Sequence, residues 1–192
     1  MNNHVDDAHR GGMRNVWIIT ISMTILAVCY TMIIPFLPIY LLELGVSKDD
    51  VALWSGLVFG ITFLIAGIMA PIWGKIADNK GKKRMALRAG FAIAVSYFLI
   101  GLVTDQYQLL LGFANGFYPA AMTMVSLSVD EKRVGRALGI FQMGLILGNV
   151  IGPFLGGAVE SVVGMRPVFY VSGIAVFIAT LAVLFFVKEP RI

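Results

Sequence analysis

The chain has 192 residues, of which 58% are hydrophobic and 14% are charged, and its mean hydropathy is +0.85. A soluble domain carries about 25% charged residues, so this composition excludes an ordinary soluble domain and indicates a helical membrane protein. The net charge of +4 does not indicate a nucleic-acid partner, because the basic residues lie in short segments between apolar runs.

Six membrane spans are predicted, each approaching or exceeding the ~20 residues that cross the hydrocarbon core. The connections are short, so neighbouring spans are expected to run antiparallel and to pack as one bundle. Residues 16–187 form the predicted six-helix transmembrane domain, with cytoplasmic tails at 1–15 and 188–192. The predicted spans are 16–42, 51–73, 85–103, 107–129, 137–159 and 167–187.

A basic turn at residues 74–84 orients the chain. It holds five basic residues around the single acid Asp78. Positive charge crosses membranes poorly, so this turn is expected on the cytoplasmic side. With the turn placed there, all of the fifteen Lys and Arg residues except Lys48 and Arg166 lie in cytoplasmic segments. Both termini are therefore predicted to be cytoplasmic, in a multi-pass protein of the cell membrane.

A short repeat relates the second and fifth spans. Pro71 is followed by a glycine three residues later and by an acid seven residues later, and Pro153 has the same spacing. The two spans run in opposite directions, so spans 1–3 and 4–6 are predicted to be inverted copies, which is a transporter architecture. Coincidence between Gly- and Pro-rich membrane helices is the alternative.

The turn at 74–84 resembles the loop signature of the major facilitator superfamily, which lies at the same place between the second and third helices. The alternative is a generic basic turn. In that family the aspartate joins a charge cluster at the seam between the two transporter halves, so the resemblance implies a gating role. The implied gating residues are Gly74, Asp78, Gly81, Lys82, Lys83 and Arg84.

The fifth span resembles the antiporter motif of drug:proton exporters in the same superfamily. Glycines at every fourth position from 144 to 156 form a flat face, which lets helices approach closely, and plain helix packing is the alternative. Pro153 lacks an amide donor and is expected to bend the helix. The matching residues are Gly139, Gly148, Gly152, Pro153, Gly156 and Gly157.

Weaker matches at 35–38, 131–139 and 188–190 extend the resemblance over the chain, but only to the N-terminal six of the family's usual twelve helices. The last of these resembles the start of a linker between halves. One departure is that the fourth span carries no charge, whereas the family often has an arginine there that is implicated in proton handling.

The substrate-cavity candidates are polar or adaptable side chains within the spans. The family's topology implies that helices one, two, four and five surround a central cavity. Aromatic, methionine and amide groups suit bulky apolar or cationic ligands, although packing between helices is the alternative for each residue. The candidates are Tyr30, Asn115, Tyr118, Met122, Gln142 and Asn149.

The resemblance implies half of a secondary active transporter that exports drug-like molecules, coupled to protons, by alternating access. A non-transporting or degenerate half, and a metabolite or sugar carrier of the same superfamily, remain open. No ATP-binding loop and no catalytic or metal constellation is found, and Cys29 is the single cysteine, so no enzyme, metal or cofactor is expected. The expected partners are membrane lipid, a small-molecule substrate, protons and a second six-helix half, supplied by another copy or by a missing C-terminal half.

Overall fold

The computed structural model describes residues 3–80, 82–104 and 134–187, and these are helical with short turns and contain no strand. The all-α fold class is confirmed over these ranges. The helices are α1 (Asn3–Ile33), α2 (Leu37–Glu43), α3 (Val51–Lys80), α4 (Lys82–Gly101), α5 (Val134–Val163) and α6 (Met165–Phe186), with a 3-10 turn at Ile34–Phe36.

Three described segments are long and apolar enough to cross a membrane: Met13–Glu43, Val134–Val163 and Met165–Phe186. They correspond to the first, fifth and sixth predicted spans. Shorter apolar helices at Val51–Ile65 and Ala86–Gly101 lie within the second and third predicted spans. The fourth predicted span, 107–129, falls outside the described residues.

Two segments expected as tail or loop are largely helical. The first helix already begins at Asn3, within the predicted tail 1–15. The basic turn at 74–84 consists largely of the end of α3, at Lys80, and the start of α4, at Lys82. This stretch contains no proline, and lysines near the end of α3 interact favourably with the helix dipole, so the helix continues through the basic residues.

Two prolines divide the first span into α1 and α2. Pro35 lies in the 3-10 turn and Pro38 in the first turn of α2. Neither can donate a backbone hydrogen bond, so the ladder of α1 ends at Ile33 and a new helix begins at Leu37. The family-like exit at 35–38 therefore begins with a 3-10 turn, and helix continues beyond it to Glu43.

The turn after α2 is closed by local chemistry. Gly45 has a φ of +90°, which suits glycine, and Val46 N donates to Leu41 O at 3.1 Å, as in a Schellman cap. Ser47 Oγ then accepts from Asp50 N at 3.2 Å and donates to the Asp50 carboxylate at 2.8 Å. This reciprocal pair resembles a capping box and starts α3 directly after α2.

Contacts between helices show their directions. A Cβ added to Gly144 would meet Thr20, and one added to Gly156 would meet Met32. Residue numbers therefore rise in the same direction along both helices, so α1 and α5 run parallel. By contrast, Ser22 Oγ of α1 donates to Ala179 O of α6 at 3.3 Å, whereas Tyr40 in α2 packs against Phe169 of α6. The order along α6 is reversed, so α6 runs antiparallel to the first span.

The pair formed by α4 and α6 is antiparallel. Gly90 faces Thr180 at one end, and Gly101 faces Tyr170 at the other. The described core lies mainly between this pair and α1, where many side chains are completely enclosed. Its largest members are Tyr40, Phe141, Phe169, Ile19, Leu37, Leu41, Ile100 and Met165.

These directions divide the helix ends between two faces of the bundle. We call the face where α1, α4 and α5 begin the basic face, for the charges described below, and the other the opposite face. Because short turns join α3 to its neighbours, α3 runs from the opposite face to the basic face. It is therefore antiparallel to α5, and each of these 30-residue helices contains one interior proline. This arrangement agrees with an inverted repeat.

The ends that flank the fourth predicted span also lie on different faces. The last turn of α4 is hydrogen-bonded to Tyr40 at the opposite face, whereas α5 begins at the basic face. A membrane span between Thr104 and Val134 would need its two ends on different faces, and the flanking helix ends meet this condition.

Candidate functional site

One side of α5 lies directly against the backbone of α1. We call Gly144, Gly148, Gly152 and Gly156 the glycine face, and all four are buried. A Cβ on Gly148 would lie 2.7 Å from Thr24 O, and one on Gly152 would lie 2.8 Å from Val28 O. Only glycine permits this approach, because the opposing atoms belong to the backbone and cannot rotate away.

A hydroxyl group connects the two helices at the centre of this contact. Thr31 Oγ1 donates to Ala27 O at 2.7 Å within α1 and lies 3.2 Å from Gly148 O of α5. The hydroxyl therefore has main-chain acceptors on both helices. Together with the glycine face, it holds α1 and α5 as one closely packed parallel pair.

The residues that resemble the antiporter motif divide between two sides of α5. Gly148, Gly152 and Gly156 contact α1, whereas a Cβ on Gly139 would meet nothing within 4 Å. Gly157 faces only the Phe36 ring, at 3.4 Å from such a Cβ, and Pro153 is half-buried. The motif therefore combines a packing surface with positions that α1 does not cover.

The uncovered side of α5 carries two amides. Gln142 and Asn149 are both exposed, and their spacing of seven residues places them on one side of the helix, with exposed Ile146 between them. We call these three residues the amide stripe. A primary amide that faces hydrocarbon loses hydrogen bonds at a cost of several kcal/mol, of order 2–7. This side of α5 is therefore suited to a water-filled cavity or to another protein surface, and not to lipid.

The exposed sides of α4 and α6 have a different composition. Within residues 92–102 and 171–186, every exposed side chain is apolar. Such surfaces suit the acyl chains of the bilayer, where no hydrogen-bond partner is available. The surfaces of α4 and α6 thus suit lipid over these ranges, whereas α5 carries two exposed amides among its apolar side chains.

The other cavity candidates are distributed as follows. Tyr30 is half-buried on α1 and is not among the α1 residues nearest to the glycine face. Asn115, Tyr118 and Met122 lie outside the described residues. Among the described candidates, Gln142 and Asn149 lie on the same side of α5, two helical turns apart.

The predicted gating residues lie where α3 and α4 meet. Gly74 and Asp78 are on the last turns of α3, Lys82 begins α4, and the surroundings of these three side chains and of Gly81 lie outside the described part. Arg84 is exposed. Lys83 is half-buried, and its Nζ donates to Leu184 O of α6 at 2.7 Å. Sequence reasoning did not identify this contact, because a basic run does not show which of its members has a partner.

At the opposite face, two side chains donate to the carboxyl end of α4. Tyr40 Oη donates to Ile100 O at 3.0 Å, and its ring packs at 5.0 Å from that of Phe169. Arg166 Nη2 donates to Val103 O at 3.4 Å. Sequence reasoning missed this cluster, whose members come from three separate helices or turns.

Charge is unevenly divided between the two faces. The basic face carries six described cationic side chains, and the opposite face carries four carboxylates and two cations. The former are Arg14, Lys75, Lys83, Arg84, Arg88 and Arg136, and the latter are Glu43, Asp49, Asp50, Glu160, Lys48 and Arg166. Among the described residues, no group of three or more His, Cys, Asp or Glu could hold a metal ion.

The sequence was compared with known families and curated proteins. Residues 19–192 match the Major Facilitator Superfamily. The chain is 38% identical over 182 residues to the multidrug resistance protein MdtG of Proteus mirabilis, covering 92% of this chain and 45% of that protein. It is 39% identical over 168 residues to the uncharacterized MFS-type transporter YuxJ of Bacillus subtilis, covering 84% and 43%. The chain thus spans less than half the length of these curated relatives.

The fold was compared with solved structures. The human organic anion transporter MFSD10 (TETRAN) superposes with a TM-score of 0.81 at 16% identity, covering 94% of this chain and 49% of that one. The POT family transporter PepTSo superposes with a TM-score of 0.78 at 16% identity, covering 93% and 39%. At this identity the likeness shows the fold alone. With the family match over residues 19–192, it shows that the chain belongs to the major facilitator superfamily and has the fold of one half of such a transporter.

Proposed function

We propose that this chain is one half of a proton-coupled transporter that exports drug-like small molecules by alternating access. Its superfamily consists of transporters and not of enzymes, so a carrier function follows at the level of the family. The drug-like substrate class is supported by relatives that are named multidrug resistance proteins. It is also supported by the spacing of glycines along α5, which resembles that of the antiporter motif.

The observation that carries the proposal is the two-sided construction of α5. The glycine face closes one side against α1, and the other side presents the amide stripe, with Gln142 and Asn149 exposed. Neutral amides among apolar side chains can bind bulky ligands with few directional demands, which suits a broad substrate range. On this proposal, the amide stripe lines the substrate pathway.

The proposed orientation has the basic face in the cytoplasm of a cell-membrane protein. Short cytoplasmic segments of membrane proteins carry an excess of Lys and Arg, and the described cations collect on that face. Both termini then lie in the cytoplasm, because α1 begins at the basic face and α6 ends there.

The proposed functional unit includes a second six-helix half. The curated relatives are more than twice as long as the matched region, and the amide stripe requires water or protein opposite it. The second half is another copy of the chain or a missing C-terminal half. Proton coupling is then assigned to carboxylates at the rims, such as Glu43, Asp78 and Glu160, or to groups in the second half.

The proposal is tested by drug efflux in cells that lack their own exporters. The chain is produced alone and with the C-terminal half of a relative, and export of a lipophilic cation is followed by fluorescence. Gln142→Leu and Asn149→Leu are expected to weaken apparent substrate affinity about two- to tenfold, the equivalent of one lost hydrogen bond each. Ile178→Val, at an exposed position on the apolar surface of α6 and away from the amide stripe, is the matched control and should retain native transport.

Energy coupling is tested in the same cells. A protonophore should abolish export even when ATP is maintained. Export that survives the protonophore would contradict proton coupling. Absence of export from a folded protein in both configurations would favour a non-transporting half, and native transport by both leucine variants would exclude the amide stripe from the pathway.

A further inference from the structure

The carboxyl end of α6 presents a main-chain acceptor, Leu184 O, to a different helix. Val187 is extended, with φ −88° and ψ 126°, so the helix ends at Phe186, and Val187 N donates to Val183 O at 3.2 Å. Leu184 O is the next carbonyl along the chain. The final carbonyls of a helix lack intrahelical donors and carry the negative end of the helix dipole.

Lys83 supplies the donor from a different helix. Its Nζ lies 2.7 Å from Leu184 O, and the side chain is half-buried between the start of α4 and the end of α6. A charged donor makes a shorter and stronger hydrogen bond than a neutral one, and a cation at a helix carboxyl end is also favoured by the dipole. The charge of the donor and the helix dipole both strengthen the hydrogen bond to Leu184 O.

The neighbouring basic residue has no comparable position. Arg84 is exposed, although it follows Lys83 directly and has the same charge. Membrane orientation depends on the number of basic residues in a segment and not on which carbonyl each contacts. The hydrogen bond of Lys83 is therefore not explained by the rule that sets membrane orientation.

We propose that Lys83 is a positioning residue that closes the carboxyl end of α6 and thereby fixes the position of Leu184–Val187 beside α4. The start of α4 is then bonded to the end of α6. A displacement of one displaces the other, because the Lys83 ammonium is held by α6 and its backbone belongs to α4. The predicted gating residues thus divide into Asp78, at the end of α3, and Lys83, which serves α6.

The test is amide hydrogen exchange of the full chain in lipid nanodiscs, measured by mass spectrometry on peptides from α6. Lys83→Met, which keeps the length but lacks the donor, should accelerate exchange in residues 184–187 about tenfold, the equivalent of ~1.4 kcal/mol. Lys83→Arg, which retains a charged donor, should keep the native rate. Arg84→Met is the matched control, and it should also leave these amides unchanged.

The faster hydrogen exchange must also be confined to the carboxyl end of α6. Peptides from the first turns of α6, near Arg166, should exchange at the native rate in every variant, since a general loss of stability would accelerate both ends. Equal acceleration at both ends, native exchange in Lys83→Met, or equal effects of Lys83→Met and Arg84→Met would each overturn the proposal. If Lys83→Met does not accumulate in the membrane, Lys83→Gln takes its place with the same expectation, because it is uncharged and too short to reach Leu184 O. None of these outcomes depends on whether the chain transports a drug.

Discussion

At the scale of single residues, the glycines of α5 differ in what surrounds them and not in sequence context. Gly148 has backbone atoms of α1 within 2.7 Å of the position of a Cβ, whereas Gly139 has nothing within 4 Å. Both belong to the resemblance that suggested an exporter. One is required by packing, and the other leaves room for a ligand or a second helix.

Gly148→Ala and Gly139→Ala should therefore have opposite effects on stability. The first places a methyl group against Thr24 O, forces α5 away from α1, and is expected to cost about 1–3 kcal/mol. The second introduces no contact and can gain up to ~1 kcal/mol from helix propensity. Thermal unfolding of each variant in detergent provides the measurement. A lower midpoint for Gly139→Ala than for Gly148→Ala would contradict the packing described for α5.

The four-residue spacing of these glycines could be recognised in the sequence, since it predicts a flat face on any helix. Its partner could not be predicted. Thr20, Thr24 and Thr31 on α1 have no distinctive pattern, and only the folded chain shows that Thr31 reaches Gly148 O at 3.2 Å. Periodicity indicates which side of a helix can pack closely. Which helix packs against that side depends on how all the helices assemble.

At the scale of elements, α4 and α6 form an antiparallel pair. The carboxyl end of each helix accepts hydrogen bonds from side chains of other helices. Tyr40 and Arg166 serve the end of α4 at the opposite face, and Lys83 serves the end of α6 at the basic face. Between the ends, Gly90 and Gly101 let side chains of α6 approach closely. The pair is thus secured by polar contacts at both ends and by packing along its length.

Tyr40→Phe should loosen the α4 end without removing the ring contact with Phe169. The lost hydroxyl leaves Ile100 O without this donor, and the expected cost is about 1 kcal/mol. Tyr30→Phe is the matched control, because the described residues supply no hydrogen bond to that hydroxyl. Chemical denaturation in detergent measures both. An equal or larger loss in Tyr30→Phe would contradict the assigned role of Tyr40.

Element boundaries were predicted less well than element type. Hydropathy identified apolar spans, but it cannot separate a loop from a polar helix end. The segment at 74–84 was predicted as a turn but is largely helical, and α5 already includes Val134, before the predicted span that starts at residue 137. The 3-10 turn at Ile34–Phe36 follows from Pro35 and Pro38, yet sequence alone did not show that helix resumes beyond it.

At the scale of the whole molecule, parallel and antiparallel contacts agree with the order of crossings expected for one half of a transporter. The charges agree with one orientation, because the described side chains include six cations on the basic face and only two, Lys48 and Arg166, on the opposite face. The family could be recognised from the sequence, since its signatures are local. The composition of the amide stripe was also visible, but its exposure was not.

Thiol labelling tests the proposed orientation. The single native cysteine, Cys29, is buried, so it contributes little background. In intact cells a membrane-impermeant maleimide should label Lys48→Cys, whereas Arg84→Cys should react only after the cells are permeabilised. The reverse pattern would show that the basic face lies outside, and labelling of both in intact cells would exclude a single orientation.

The 3-10 turn at Ile34–Phe36 divides the contacts of the first span into two groups. Before the turn, α1 packs against α5 through the glycine face and donates to α6 through Ser22; after it, Tyr40 connects α2 to α4 and α6. If the chain transports as proposed, a tilt of α5 that carries α1 with it is absorbed at Ile34–Phe36. The two ends of the first span then move by different amounts, although they belong to one continuous stretch of chain.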